Sequence, residues 1–136
     1  MMNCIFCQII EGKIPAFKVL EDEHTLAFMD INPVSEGHCL VIPKAHTPNL
    51  LEAPPQALAN TLASAQKVAK AMYQSLGIDS LNLVQNNGPW ALQTVGHLHF
   101  HLIPRREKDG IRLDWDLNAG DMPAIGALGE RIKEAL

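Results

Sequence analysis

Hydrophobic and polar residues alternate over short stretches of this chain, and Pro, Gly and acidic turns separate the stretches. "FKVLED" and "HTLAFMDI" read as two strands around the polar turn Glu21 to Glu23, a hairpin pattern of two apolar runs joined by a polar one. "HCLVIP" is a third apolar run, rich in β-branched residues and closed by Pro43, as suits a buried strand. "SLNLVQNN" gives a fourth strand, "GPWALQT" a loop carrying Gly and Pro, and "VGHLHFHLIP" a fifth strand ended by Pro104.

The helical period runs long in one place. From Pro55 to Leu76 the apolar positions Leu58, Leu62, Ala65, Val68, Ala69 and Met72 recur at spacings of three and four, with Pro to open the helix and Gly77 to close it. Its Ala-rich face suits packing against the sheet or against a second subunit. "CIFCQIIEGKIPA" reads as a short helical turn broken at Pro15, and the tail from Pro123 to Leu136 as helical. Strands joined by short turns, with few helices between them, predict an α+β fold: a five-stranded antiparallel sheet, one long helix and short terminal helices.

At 136 residues the chain fits one domain, which buries roughly 68% of its unfolded surface. With 47% hydrophobic and 19% charged residues it is globular in composition. A net charge of -4 argues against a nucleic-acid or anionic-membrane surface, either of which needs an excess of Lys and Arg. The densest basic cluster, Arg105, Arg106 and Lys108, is brief and reads as ordinary surface charge. No apolar run approaches the roughly 20 residues of a membrane span, and "MMNCIFCQIIEGKIPA" lacks the basic-then-apolar order of a signal peptide. A soluble, cytoplasmic protein is expected. Three cysteines, an odd count, predict reduced thiols, with Cys39 a small core residue.

The fifth strand concentrates the chemistry. His97, His99 and His101 alternate with Leu98, Phe100 and Leu102, so the imidazoles share one face of a strand and the apolar side chains the other. The row is about 13 Å long, too long for all three rings to meet at one metal ion. Imidazole, largely neutral at pH 7, is a nucleophile and base without further activation, and a second, protonated imidazole can stabilise charge on a phosphoryl oxygen. The row suits phosphoryl or nucleotidyl transfer through a histidine adduct.

"HLHFHLI" resembles the His-x-His-x-His-x-x signature of the histidine triad (HIT) family of nucleotide hydrolases and transferases. "CIFCQIIEGKIPA", "LAFMDINPVSEGHCLVIPKAH" and "LVQNNGPWALQTVGHLHFHLIPR" resemble family segments in the expected order, so the likeness spans residues 4 to 106 and leaves the last 30 or so undefined. The resemblance implies a HIT-like sheet in one domain over 1–136, a homodimer, and a purine nucleotide as ligand. It implies that His99 attacks the α-phosphorus of a nucleoside phosphoramidate or related nucleotide, giving a nucleotidyl-histidine that water resolves. His101 and His38 would stabilise the phosphoryl charge. Gln93 and Thr94 would hydrogen-bond the phosphate and leaving group, Asp30 followed by Ile31 would accept the ribose hydroxyls, and Asn86 would contact the nucleotide. Phe6, Ile9 and Phe28 are placed either as a base slot or as core. A dinucleoside polyphosphate hydrolase or nucleotidyl transferase would use the same adduct, and a regulatory nucleotide-binding protein would use the same pocket without turnover.

Cys4 and Cys7 form a C-x2-C unit, which by spacing alone is open between a zinc half-site, a redox pair and two inert thiols. Zinc-containing relatives in the resembling family offer His46 and His97 at the matching positions, implying a structural Cys2His2 zinc site. His24 matches no role and reads as exposed. The family commonly carries small residues or glycine where "GPWALQT" has Ala91 and Leu92, which implies a stiffer loop or a narrower leaving-group pocket.

Overall fold

The structure, a computed structural model, describes residues 3–136. In chain order it contains α1 (Ile5–Ile10), β1 (Lys18–Glu21), β2 (Thr25–Met29), β3 (Cys39–Pro43), α2 (Pro55–Leu76), β4 (Ser80–Gln85), β5 (Phe100–Arg105) and α3 (Met122–Glu134), with a single 3-10 turn at Pro89–Ala91 before β5. The five strands form one sheet in the order β1-β2-β3-β5-β4, every neighbouring pair antiparallel. This is the α+β architecture that the alternation predicts.

Helix α2 has the expected bounds for the expected reasons. Pro lies in its first turn, where no intrahelical N–H is lost, and Gly77 leaves it in the left-handed region at φ 63. Its buried face is Thr61, Ser64, Ala65, Val68 and Met72, of which Ala65, Val68 and Met72 pack on Ala27, Cys39, Val41 and Leu102 of the sheet. Thr61 and Ser64 are tolerated there because both hydroxyls are satisfied: Thr61 donates to the Ala57 carbonyl, and Ser64 Oγ lies 2.6 Å from Thr25 Oγ1. Leu62, counted by spacing in the apolar stripe, is half exposed beside the β4 edge instead.

The opposite face of the sheet carries Leu26, Phe28, Leu40 and Ile42 and is covered by the short α1, through Phe6 and Ile9, with Ile14, Ala16 and Val95 packed beside it. A six-residue helix cannot roof a five-stranded sheet, so part of this face stays open. Strand β5 differs from its predicted extent. Its ladder begins at Phe100, which pairs with Val41 and Gln85, and it continues through Pro104 to Arg105. Residues 97–99 precede the ladder; they are tethered by the Leu98 N–H, which donates to the Thr47 carbonyl at 2.7 Å.

Arg105 is not the ordinary surface charge its sequence context implies. Its guanidinium donates to both Asp109 carboxylate oxygens (2.8 and 3.0 Å), to Asn82 Oδ1 (2.7 Å) and to the Ile111 carbonyl (2.9 Å), fastening the chain that leaves β5. That fork holds the Asp109 carboxyl well below the usual carboxylate range. Beyond it, helix α3 buries none of its residues against the domain.

Candidate active site

A cavity of about 610 Å³ opens on the face opposite α2. Phe6 and Ile9 of α1 and Phe28 of β2 form an apolar wall, with the Phe6 and Phe28 rings edge to face at 5.5 Å. Asp30 and Ile31, in the turn after β2, stand at one side, and Asn86, Leu92 and Thr94, from the connection between β4 and β5, at the other. His38, His99 and His101 lie between them, because β3 and β5 separate β2 from β4 in the sheet. Gly37, at φ +92, supplies the left-handed turn that delivers His38 to the start of β3.

Hydrogen-bond partners fix the proton positions on these rings. The Val34 N–H donates to His38 Nδ1 at 3.1 Å, so a neutral His38 carries its proton on Nε2. That proton is donated to His101 Nδ1 at 2.9 Å, which leaves the His101 proton on Nε2. Asp30 Oδ2 sits 3.5 Å from His38 Nε2 and favours the same arrangement. His99 is tied differently: its Nδ1–H donates to the His97 main-chain carbonyl at 2.7 Å, leaving Nε2 with a free lone pair. The His99 and His101 rings lie 4.9 Å apart, so a basic nitrogen and a proton donor stand side by side on the cavity floor.

Burial keeps all three imidazoles neutral at pH 7. It is the leading cause that lowers His38, His99 and His101 below the ordinary value, and the neighbouring His99 and His38 help push His101 down to about 4. The protonated second imidazole expected from the sequence is therefore replaced by a neutral N–H donor, because the site desolvates the charged form. The unfolded chain binds the proton near 6.5 while folded His101 does so near 4, so the unfolded state takes up more protons in between. The His101 contribution to stability should be constant above about pH 7 and be lost as pH drops from about 6.5 toward 4; thermal midpoints measured across that window check it, and His101→Gln should flatten part of the slope.

A second cluster lies behind His99. The ligand atoms of Cys4, Cys7, His46 and His97 all fall within 4.8 Å of one another. His97 Nδ1 is 3.3 Å from Cys4 Sγ, 3.6 Å from Cys7 Sγ and 3.2 Å from His46 Nδ1, and Cys7 Sγ is 3.3 Å from His46 Nδ1. A tetrahedral ion with bonds of about 2.3 Å to sulfur and about 2.0 Å to nitrogen needs edges of this size. The tautomer fits too: His97 Nε2–H donates to the Pro43 carbonyl at 2.8 Å, which turns the Nδ1 lone pair toward the thiols. The Cys7 N–H also donates to Cys4 Sγ at 3.4 Å, so the sulfur that caps α1 is already held.

Asp30, His38 and His101 also stand close enough to hold an ion, but their protonation does not suit one. His38 Nε2, the atom that would have to ligate, carries the proton that His101 accepts. The redox reading of Cys4 and Cys7 is equally ill-served: burial, then the neighbouring Cys4, push the Cys7 thiol up to about 11, away from a reactive thiolate.

Comparison with known proteins settles the family. The family model of the HIT domain matches residues 11–108. This chain belongs to the HIT family. It is 43% identical over 130 residues to the adenosine 5'-monophosphoramidase HNT1 of Saccharomyces cerevisiae, covering 95% of this chain and 80% of that protein. A crystal structure of a HIT family member from Bacillus subtilis superposes with a TM-score of 0.92 at 41% identity, over 98% of this chain and 97% of that one. A zinc-bound histidine triad protein from Mycobacterium smegmatis superposes with a TM-score of 0.78 at 42% identity, over 86% of this chain and 85% of that one.

Within this HIT chain, Phe6, Ile9, Phe28, Asp30, Ile31, His38, Asn86, Thr94, His99 and His101 converge on the one cavity, while Cys4, Cys7, His46 and His97 gather beside it. Gln93 is the correction. It does not line the cavity; its amide NH2 donates to the carbonyls of Pro48 and Val95 (2.7 and 3.0 Å), and its Oε1 accepts the Gly88 N–H at 2.9 Å. With both donor directions and the carbonyl engaged, it braces the loop rather than reaching for phosphate. Cys39 is buried in the α2-side core and His24 is exposed, both as read from the sequence. What the sequence does not signal are the main-chain partners: the Val34 N–H and the carbonyls of Pro43 and His97 set the histidine tautomers and have no side-chain signature.

Proposed function

We propose that this HIT protein hydrolyses purine nucleoside phosphoramidates through a nucleotidyl-His99 intermediate. The observation that carries the reading is the pairing of a free His99 Nε2 lone pair with the His101 Nε2 proton on the floor of one cavity. His99 Nε2 forms a bond to the α-phosphorus as the P–N bond breaks; the electron pair leaves with the amine nitrogen, which takes up a proton from water. His101 Nε2–H donates to a phosphoryl oxygen as charge builds there. Water then attacks phosphorus, releasing the nucleoside monophosphate and restoring neutral His99.

The remaining residues position the nucleotide. Asp30 Oδ1 is held by the Asn32 N–H at 2.8 Å, and its carboxylate accepts the ribose hydroxyls. Phe6, Ile9, Phe28 and Ile31 enclose the base, Asn86 contacts the nucleotide, and the Thr94 hydroxyl serves the phosphate and leaving group. Gln93 contributes by holding the loop that carries Thr94. The yeast relative's name, an adenosine 5'-monophosphoramidase, supports this substrate class. Zinc held by Cys4, Cys7, His46 and His97 would cross-link α1 to the segment whose His97 carbonyl orients His99. Reduced cysteines and a thiolate-containing site fit a reducing compartment such as the cytoplasm. Among the described residues, no helix is long and apolar enough to cross a membrane. The direct experiment is to mix the protein with adenosine 5'-phosphoramidate and follow release of AMP; nucleotide binding without AMP release would contradict the hydrolase reading and leave a binding protein.

The protein works as a homodimer in this reading. β4 is an edge strand, and Leu62, Leu81, Leu83 and Ala69 line an open apolar groove between it and α2. An uncovered strand edge beside such a groove invites pairing with a second copy. Light scattering should give twice the 14.9 kDa chain mass, and Leu83→Glu should give the monomer; a wild-type monomer at micromolar concentration would overturn the assembly.

A further inference from the structure

Leu92 holds a conformation that its residue type resists. It sits in the left-handed region at φ 65 and ψ 34, where only one other non-glycine residue, Lys108, has a positive φ among the described residues. Branched side chains avoid this region because Cβ crowds the following carbonyl, and glycine would occupy it without cost. The loop enforces it from both sides. Leu92 N–H donates to the Pro89 carbonyl, Gln93 N–H donates to the Gly88 carbonyl, and the Gln93 side chain ties Gly88, Pro48 and Val95 together. A strained residue so firmly over-determined at the mouth of a site points to a use for its side chain.

That side chain lines the cavity yet is 76% exposed. Its position follows from the strand order. Asp30 lies on the β2 side, the imidazoles lie on and beside β3 and β5, and Leu92 follows β4 on the far side. A nucleotide whose ribose meets Asp30 and whose phosphorus meets His99 directs its leaving group toward Leu92 and Thr94.

We propose that Leu92 is a specificity-determining residue that selects phosphoramidates whose leaving amine carries an apolar alkyl or aromatic substituent. The inference rests on the hydrolase reading above and names the substrate class of that site. When the P–N bond breaks, the departing amine takes the electron pair and a proton from water; Leu92 contributes contact with the substituent and no chemistry. A glycine at this position would offer the same backbone path with no surface for the substituent to bury.

The test compares kcat/KM for adenosine 5'-phosphoramidate and for its N-benzyl derivative, using the full chain. The ratio of the second to the first should fall about 5- to 10-fold in Leu92→Gly and in Leu92→Ala, since partial loss of an apolar contact has effects of this order. Comparing the same two substrates in each variant cancels the intrinsic reactivity of the amines. Leu92→Gly also relieves the left-handed strain, so it should melt no lower than the parent. Trp90→Ala removes the fully exposed neighbour that does not line the cavity, and its ratio should stay within about twofold of the parent's. A ratio unchanged in both Leu92 variants, or one lowered equally by Trp90→Ala, overturns the assignment while leaving the hydrolase intact. If the parent cleaves neither substrate, the hydrolase reading fails and this inference falls with it.

Discussion

Replacing His99 with alanine should lower kcat for phosphoramidate hydrolysis by about ten-thousandfold or more while changing the affinity for AMP by less than about threefold. The asymmetry follows from where the ring sits. Its Nε2 is the nitrogen left free once Nδ1–H is committed to the His97 carbonyl, whereas the walls that would hold base and ribose come from α1 and from the turn after β2. Removing the imidazole takes away the group that forms the bond to phosphorus and leaves most of the binding surface in place. The Phe6 edge contact at 5.2 Å is also lost, so His99→Ala should be somewhat less stable, and folding is checked by its melting curve. His99→Gly supplemented with free imidazole should regain part of the rate, because a diffusible ring restores a nucleophile in the space vacated. Turnover by His99→Ala within about tenfold of the parent would remove the covalent mechanism.

The second large effect concerns stability. Protein purified without chelator should carry about one zinc per chain, and Cys7→Ala should lose the metal and unfold at least about 10 °C lower. Two physical terms set the size. The Cys2His2 set joins three chain segments far apart in sequence: the start of α1, which supplies both cysteines, the chain after β3 and the approach to β5. Without a metal, moreover, the buried Cys7 and half-buried Cys4 thiols and two imidazoles must satisfy one another through weak S···N contacts. The lost cross-link should also loosen the His97 carbonyl that orients His99, so kcat should fall more than affinity. Less than about half an equivalent of zinc, with an unchanged melting point in Cys7→Ala, would overturn the metal assignment.

Periodicity and punctuation carried most of the fold. Pro in the first turn and Gly77 after the last bound α2 because both act locally, through φ and a missing N–H, and need no tertiary partner. The hairpin of β1 and β2, the buried run of β3 and the half-exposed run of β4 were legible for the same reason. The start of β5 was not. "VGHLHFH" alternates like a strand throughout, but residues 97–99 have no ladder partner, since β4 ends at Gln85 opposite Phe100 and the β3 residues beyond Val41 pair only with β2. Alternation reports what the side chains face; it does not report whether a neighbouring backbone is present to bond.

The site was legible to the same degree. Alternation placed three imidazoles on one face, and the family resemblance divided their tasks, yet Gln93 looked like a phosphate ligand because nothing in "ALQTV" reveals that the Pro48 carbonyl, 45 residues earlier, takes its amide. Arg105 looked like surface charge because Asn82, 23 residues earlier, reaches it only once β4 and β5 pair, and Asp109 only once the chain turns back after β5. The proton positions were hidden entirely, since they depend on the main-chain groups of Val34, Pro43 and His97 rather than on any side-chain type.

The most direct measurement is to quench the reaction of the protein with adenosine 5'-phosphoramidate at alkaline pH, where an N–P adduct survives, and to map its mass by peptide. A mass increase of one adenylyl group, placed on His99 by fragmentation of the peptide that also contains His101 and absent from His99→Ala, is the predicted result. Release of AMP with no adduct at any time point, or an adduct on His101, would contradict a nucleophile at His99.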